Sequence, residues 1–123
     1  MAKKILIVDD EPNIVISLEF LMKKEGFEVA VAVDGEDALS KVDSFRPDLV
    51  LLDVMMPKKS GFEVCESLRA DPDKAGLLVV MLTAKGRETE VAKGLAIGAD
   101  AYVTKPFSTK DLVVKVREML GAA

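Results

Sequence analysis

The sequence predicts an α/β fold: an open, doubly wound parallel sheet of five strands with helices on both faces. Three observations predict it. Short apolar runs alternate five times with segments of 3.6-residue periodicity. Three of the runs are near-continuous Val/Leu/Ile, as in parallel strands buried on both sides. Gly26, Gly98 and Gly121 sit where helix C-termini would be, and Pro47, Pro57 and Pro72 punctuate loops. Five βα units in succession require right-handed crossovers, which lay helices on both faces of a parallel sheet.

The first strand is read at 4–8, where Ile5 to Val8 are all apolar. A helix follows at 12–25, with Pro12 suited to its first turn and Gly26 to its end. On a wheel, Ile14, Val15, Leu18, Leu21 and Met22 share one stripe, the core face. Ile16 and Phe20 fall opposite it. The second strand is read at 28–33 and the second helix at 35–45, with Pro47 in the loop beyond. The third strand, 48–52, leads through a loop with Pro57 to a helix at 60–70. Pro72 ends that helix. The fourth strand, 77–82, is followed by a helical segment at 87–97 that stops at Gly98. The fifth strand, 101–104, leads to the last helix, 108–120, ahead of Gly121.

Ligands of such sheets bind outside the carboxyl ends of the strands. Asp9-Asp10 follow strand 1, Asp53 follows strand 3, Thr83 follows strand 4 and Lys105-Pro106 follow strand 5. One rim therefore receives three carboxylates, a hydroxyl and an ammonium. Crowded carboxylates repel unless a cation joins them. Asp9-Asp10 also have a second reading, as caps for the helix that starts at Glu11-Pro12. Asp53 has no such alternative, since Val54-Met55-Met56-Pro57 does not open a helix.

Composition narrows the classes of function. The 123 residues suit one domain over 1–123, and half of them are hydrophobic, which excludes disorder. A net charge of −4 argues against nucleic-acid binding by phosphate neutralisation. The longest apolar run, Leu77 to Leu82, is six residues, against about 20 for a membrane helix. Lys3 and Lys4 precede only four apolar residues, so no signal peptide is expected. A lone Cys65 makes no internal disulfide, and the cytoplasm is the expected compartment. With no histidine, the chain cannot perform Ser-His-Asp or Cys-His catalysis, and any histidine chemistry must come from another protein.

Taken in order, "VDDEP", "LVLLDVMMPKKSGFEV", "LTA" and "YVTKPF", with "DGEDAL", "GADAY" and "KDL", resemble the receiver domain of two-component response regulators. The resemblance covers residues 1 to about 120. It implies a flavodoxin-like, CheY-like (βα)₅ fold with strand order 2-1-3-4-5, which brings Asp9, Asp10 and Asp53 together. It implies that Asp53 is the phosphoacceptor, with Lys105 and Thr83 assisting. It implies Mg²⁺, replaceable by Mn²⁺, on Asp10, Asp53 and the backbone carbonyl of Met55, with Asp9 acting through a water. Thr83 and Tyr102 become the switch pair, and Lys105-Pro106 a cis peptide. Ile16 and Phe20 become the docking face for a histidine kinase or histidine phosphotransfer protein. Met55 and Lys85 flank the water path that controls dephosphorylation. The chain would then be no classical enzyme: it would catalyse its own phosphorylation and slow dephosphorylation. Its partner-binding face would be built from 87–97, the fifth strand and 108–120.

Winged-helix receivers dimerise through crossed ion pairs on that face. Asp100, Asp111 and Lys115 keep the pattern, whereas Val91 and Ala101 break it, so a monomer or weak dimer is expected. No output domain is expected after the last helix, as in a stand-alone or excised receiver. Two rival classes fit less well. A haloacid-dehalogenase phosphatase needs an acid where Met55 stands, and an FMN binder needs a phosphate cradle where Asp9-Asp10-Glu11 would repel one. A degenerate receiver serving only as a binding module would not keep Asp10, Asp53, Thr83 and Lys105.

Overall fold

Five parallel strands form one sheet in the order β2-β1-β3-β4-β5. They are β1 (Lys4–Val8), β2 (Glu28–Ala32), β3 (Leu49–Asp53), β4 (Leu78–Ala84) and β5 (Ala101–Lys105). The helices are α1 (Pro12–Lys24), α2 (Gly35–Phe45), α3 (Gly61–Arg69) and α4 (Thr109–Leu120), with a 3-10 turn at Pro72–Lys74. This computed structural model describes residues 3–54, 56, 60–84, 92, 93, 96–105 and 108–121. Of the helix expected at 87–97, Ala92, Lys93, Ala96 and Ile97 are described, and they are helical.

The period of two along each strand divides the core into two layers. Leu6, Val8, Val50, Leu52, Val79 and Met81 pack under α2 and α3, against Ala38, Val42, Val64, Cys65 and Leu68. Ile5, Ile7, Leu49, Leu51, Val80 and Leu82 pack under α1 and α4, against Leu18, Met22, Leu112 and Val116. That is why β1, β3 and β4 have no polar alternation: both faces are covered. The edge strands β2 and β5 are only partly buried, as their composition suggests.

The strand ends differ from expectation by a residue or two. Asp53, Thr83, Ala84 and Lys105 remain inside the ladder, where Asp53 pairs Leu82, Thr83 pairs Thr104 and Ala84 pairs Lys105. Polar residues read as turns in a sequence, but here their backbones still find partners on the neighbouring strand. Val33 and Asp48 fall just outside β2 and β3, and Leu77 just outside β4. The helix ends lie within one residue of expectation, with Gly26 and Gly121 at φ of 93° and 70°. α2 ends instead on Arg46, a non-glycine residue at φ 54°.

Candidate functional site

Asp9, Asp53 and Lys105 occupy corresponding places in the alternation. Asp9 continues the row of Ile5 and Ile7, Asp53 that of Leu49 and Leu51, and Lys105 that of Ala101 and Val103. All three therefore reach the rim on the side of α1 and α4. Strand order sets β1 next to β3, and so the acidic groups meet. Oxygens of Asp9, Asp10 and Asp53 lie within 4.8 Å of one another. Asp9 and Asp53 are buried, and Asp10 is exposed.

Lys105 bridges two of the three. Its Nζ donates to Asp9 Oδ2 at 2.9 Å and stands 3.4 Å from Asp53 Oδ1. Burial disfavours the ammonium, yet the bond to Asp9 and the Asp53 charge outweigh it, so Lys105 titrates above the ordinary lysine range. Asp9 Oδ1 also accepts from the Glu11 N–H at 2.9 Å, which ties the β1–α1 turn to the site. The capping reading of Asp10 does not hold. Glu11 is the N-cap of α1, its side chain caps nothing, and the local bond comes from Asp9. Among the described residues the Asp10 carboxylate has no partner, which leaves it available to a ligand.

Among the described residues, three carboxylates face one ammonium. A small divalent cation would balance the remaining charge, and oxygen-only donors at this spacing suit Mg²⁺. The residues present fit that ion. Asp9, Asp10 and Asp53 would hold it.

Thr83 ends the opposite row, after Val79 and Met81. Its Oγ1 is buried and has no hydrogen-bond partner among the described residues. Natural cores rarely leave a hydroxyl so. Tyr102 sits beside Met81 in the ladder, on the same face as Thr83, and is 44% exposed. On α1, Ile16 is 65% and Phe20 70% exposed, as the helical wheel requires. Of the other residues singled out in the sequence, Met55, Lys85, Val91 and Pro106 lie outside the described residues, and with them the expected cis peptide.

Two residues escaped the sequence reading. Gly61 begins α3, and its N–H donates to Val54 O at 2.9 Å, directly behind Asp53. Arg69 closes α3 and clamps the approach to β5: it donates to Gly98 O at 2.7 Å, Leu77 O at 2.8 Å and Asp100 Oδ2 at 2.6 Å. Asp100 accepts from Val79 N–H as well. Its carboxylate thus ties α3 to β4 within the fold.

The sequence model of the response regulator receiver domain matches residues 5–117. The chain belongs to the response regulator receiver family. Among solved structures, a candidate response regulator from Chloroflexus aurantiacus is 34% identical, with 98% of this chain and 99% of that one covered and a TM-score of 0.94. The chemotaxis response regulator CheY4 of Vibrio cholerae is 30% identical, over 97% and 99% of the two chains, with a TM-score of 0.91. The receiver domain of a signal transduction histidine kinase from Syntrophus aciditrophicus is 32% identical, over 98% and 91%, with a TM-score of 0.91. Receivers are phosphorylation-dependent switches of two-component signalling, and they take phosphoryl groups from histidine kinases. Among the described residues, no helix of this receiver is long and apolar enough to cross a membrane.

Proposed function

We propose that this receiver accepts a phosphoryl group on Asp53 from a phosphohistidine of a kinase or phosphotransfer protein. The reading is carried by Asp53 itself: a buried carboxylate ending a central strand, 3.4 Å from an ammonium and grouped with two further carboxylates. An Asp53 oxygen attacks phosphorus, the P–N bond to the donor breaks, and the imidazole leaves with a proton. Asp10 and Asp53 would hold Mg²⁺, with Asp9 reaching it through a water, and the ion would supply charge neutralisation for the transfer. Lys105 holds the Asp53 carboxylate beforehand and pairs with a phosphoryl oxygen afterwards. Thr83 offers its hydroxyl to the same phosphoryl group. Tyr102 follows it inward, altering the surface around β5 and α4. Ile16 and Phe20 form the face that receives the donor protein. The acyl phosphate is the signal, and the chain acts on no separate substrate.

Intact mass after incubation with acetyl phosphate and Mg²⁺ tests this. The expected result is a gain of one phosphoryl group, absent in Asp53→Asn and absent without the metal. An unmodified mass for the wild-type chain refutes the proposal.

A further inference from the structure

The first residue of α3 is pressed against the peptide that carries the acceptor. A Cβ built on Gly61 would lie 2.3 Å from the carbonyl oxygen of Asp53 and 2.9 Å from the Cα of Val54. Gly61 does not have a left-handed φ. An alanine could adopt its backbone, and only space excludes a side chain. The contact is backbone on backbone, with no flexible side chain to yield.

Neither partner can retreat easily. On one side, Val54 N–H donates to Leu82 O at 3.1 Å, and Asp53 is paired with Leu82 in the ladder. On the other, α3 is fixed at both ends. Ser60 and Glu63 close a capping box at its start. Arg69 ties its end to Gly98, Leu77 and Asp100. Gly61 N–H then joins the two bodies through Val54 O. α3 is a brace, and the peptide after Asp53 is what it bears on.

We propose that Gly61 is a positioning residue for the phosphoacceptor: its lack of a side chain lets α3 fix the Asp53–Val54 peptide, and hence the direction of the Asp53 carboxylate. The proposal rests on Asp53 being the acceptor. Ordinary contact begins near 3.4 Å, so a methyl group at 61 must displace the peptide by about 1 Å. In a close-packed interior that shift passes to the carboxylate. Misplacement of about 1 Å can slow a reaction about 100-fold.

The test compares Gly61→Ala with Val42→Ala, a cavity variant in α2 that destabilises the fold without touching the site. Three quantities are measured: folded fraction by circular dichroism, phosphorylation rate per folded molecule with acetyl phosphate at saturating Mg²⁺, and the metal-free amide NMR signals of Asp53 and Val54. Gly61→Ala is expected to react about 10- to 100-fold more slowly with both signals moved. Val42→Ala should stay within about twofold of wild type. An unchanged rate per folded molecule in Gly61→Ala overturns the proposal and reduces Gly61 to a packing residue. If Gly61→Ala does not fold, Ser60→Ala decides. It opens the capping box and loosens the brace, and a rate about three- to tenfold lower is expected. An unchanged rate there overturns the proposal equally. Wild-type chain that takes no phosphoryl group refutes the assignment of Asp53, a result separate from either of these.

Discussion

Thr83→Val separates what the fold wants from what the switch wants. A buried hydroxyl with no partner costs roughly 1–3 kcal/mol, and Thr83 Oγ1 is such a group among the described residues. Valine has nearly the same shape, keeps the β-branch that suits β4, and removes the unpaired group. The variant should therefore be more stable than wild type by about 1–2 kcal/mol. At this chain length 1 kcal/mol corresponds to about 4 °C, so the melting temperature should rise by about 4–8 °C. The functional effect runs the other way. A hydroxyl bonded to a charged phosphoryl oxygen is worth about 1.5–3 kcal/mol, or roughly 10- to 150-fold in the ratio of switched to unswitched forms. Urea unfolding gives the stability. Amide NMR shifts around Tyr102 on adding beryllofluoride give the switching. The expected outcome is a more stable protein that binds beryllofluoride and barely switches. Destabilisation by more than about 1 kcal/mol would show that the hydroxyl is satisfied in the resting protein. A full switching response would remove Thr83 from the mechanism.

Four further outcomes are expected. Asp10→Ala should lose Mg²⁺ binding by calorimetry and lose phosphorylation, with stability unchanged or raised because a like charge has gone; retained Mg²⁺ affinity contradicts the ligand assignment. Phe20→Ala should slow transfer from a phosphohistidine protein about fivefold to thirtyfold and leave acetyl phosphate kinetics untouched; equal slowing with both donors would mean that Phe20 acts through folding. Arg69→Met should lower stability by roughly 2 kcal/mol in urea, because Gly98 O, Leu77 O and Asp100 lose their shared donor; a change under about 0.5 kcal/mol would mean that solvent replaces the clamp without loss. Light scattering with beryllofluoride should show no salt-sensitive dimer, since Asp100 is committed to Arg69 and Ala101 offers no charge; such a dimer would refute that reading of the face.

The parts of this fold that depend on local pattern were legible in the sequence. Continuous apolar runs such as Leu49 to Leu52 can only be strands covered twice, and the stripe of Leu18 and Met22 can only face the sheet. Asp9, Asp10, Asp53, Thr83 and Lys105 were legible as a rim because each interrupts or follows such a run. Strand order was not legible from the residues. It came from the family resemblance, since nothing in Lys4–Val8 says which neighbours it takes. The long-range devices were also hidden. Arg69 reads as a solvated arginine near a helix end, and its partner Gly98 lies 29 residues on. Arg46 carries a left-handed cap without the glycine that would announce it. Gly61 reads only as a member of the helix expected at 60–70. Only its distance to the Asp53 carbonyl gives it another role.

The same alternation that builds the core also sets the limits of the site. Asp9 and Asp53 are buried because they end rows of core residues, and each pays for that place in lost hydration. Lys105 ends the corresponding row on β5 and returns part of the loss to both. It cannot return all of it, because among the described residues one ammonium faces three carboxylates. Removing an acid should therefore relax the rim, while removing Lys105 would strand a buried Asp9. The geometry sharpens that asymmetry. The lysine is nearer to Asp9, at 2.9 Å, than to Asp53, at 3.4 Å. On the proposed reading its firmer bond goes to Asp9, the carboxylate that does not react, and Asp53 takes the longer contact. As the proposed nucleophile, Asp53 gains from positive charge close enough to offset its burial.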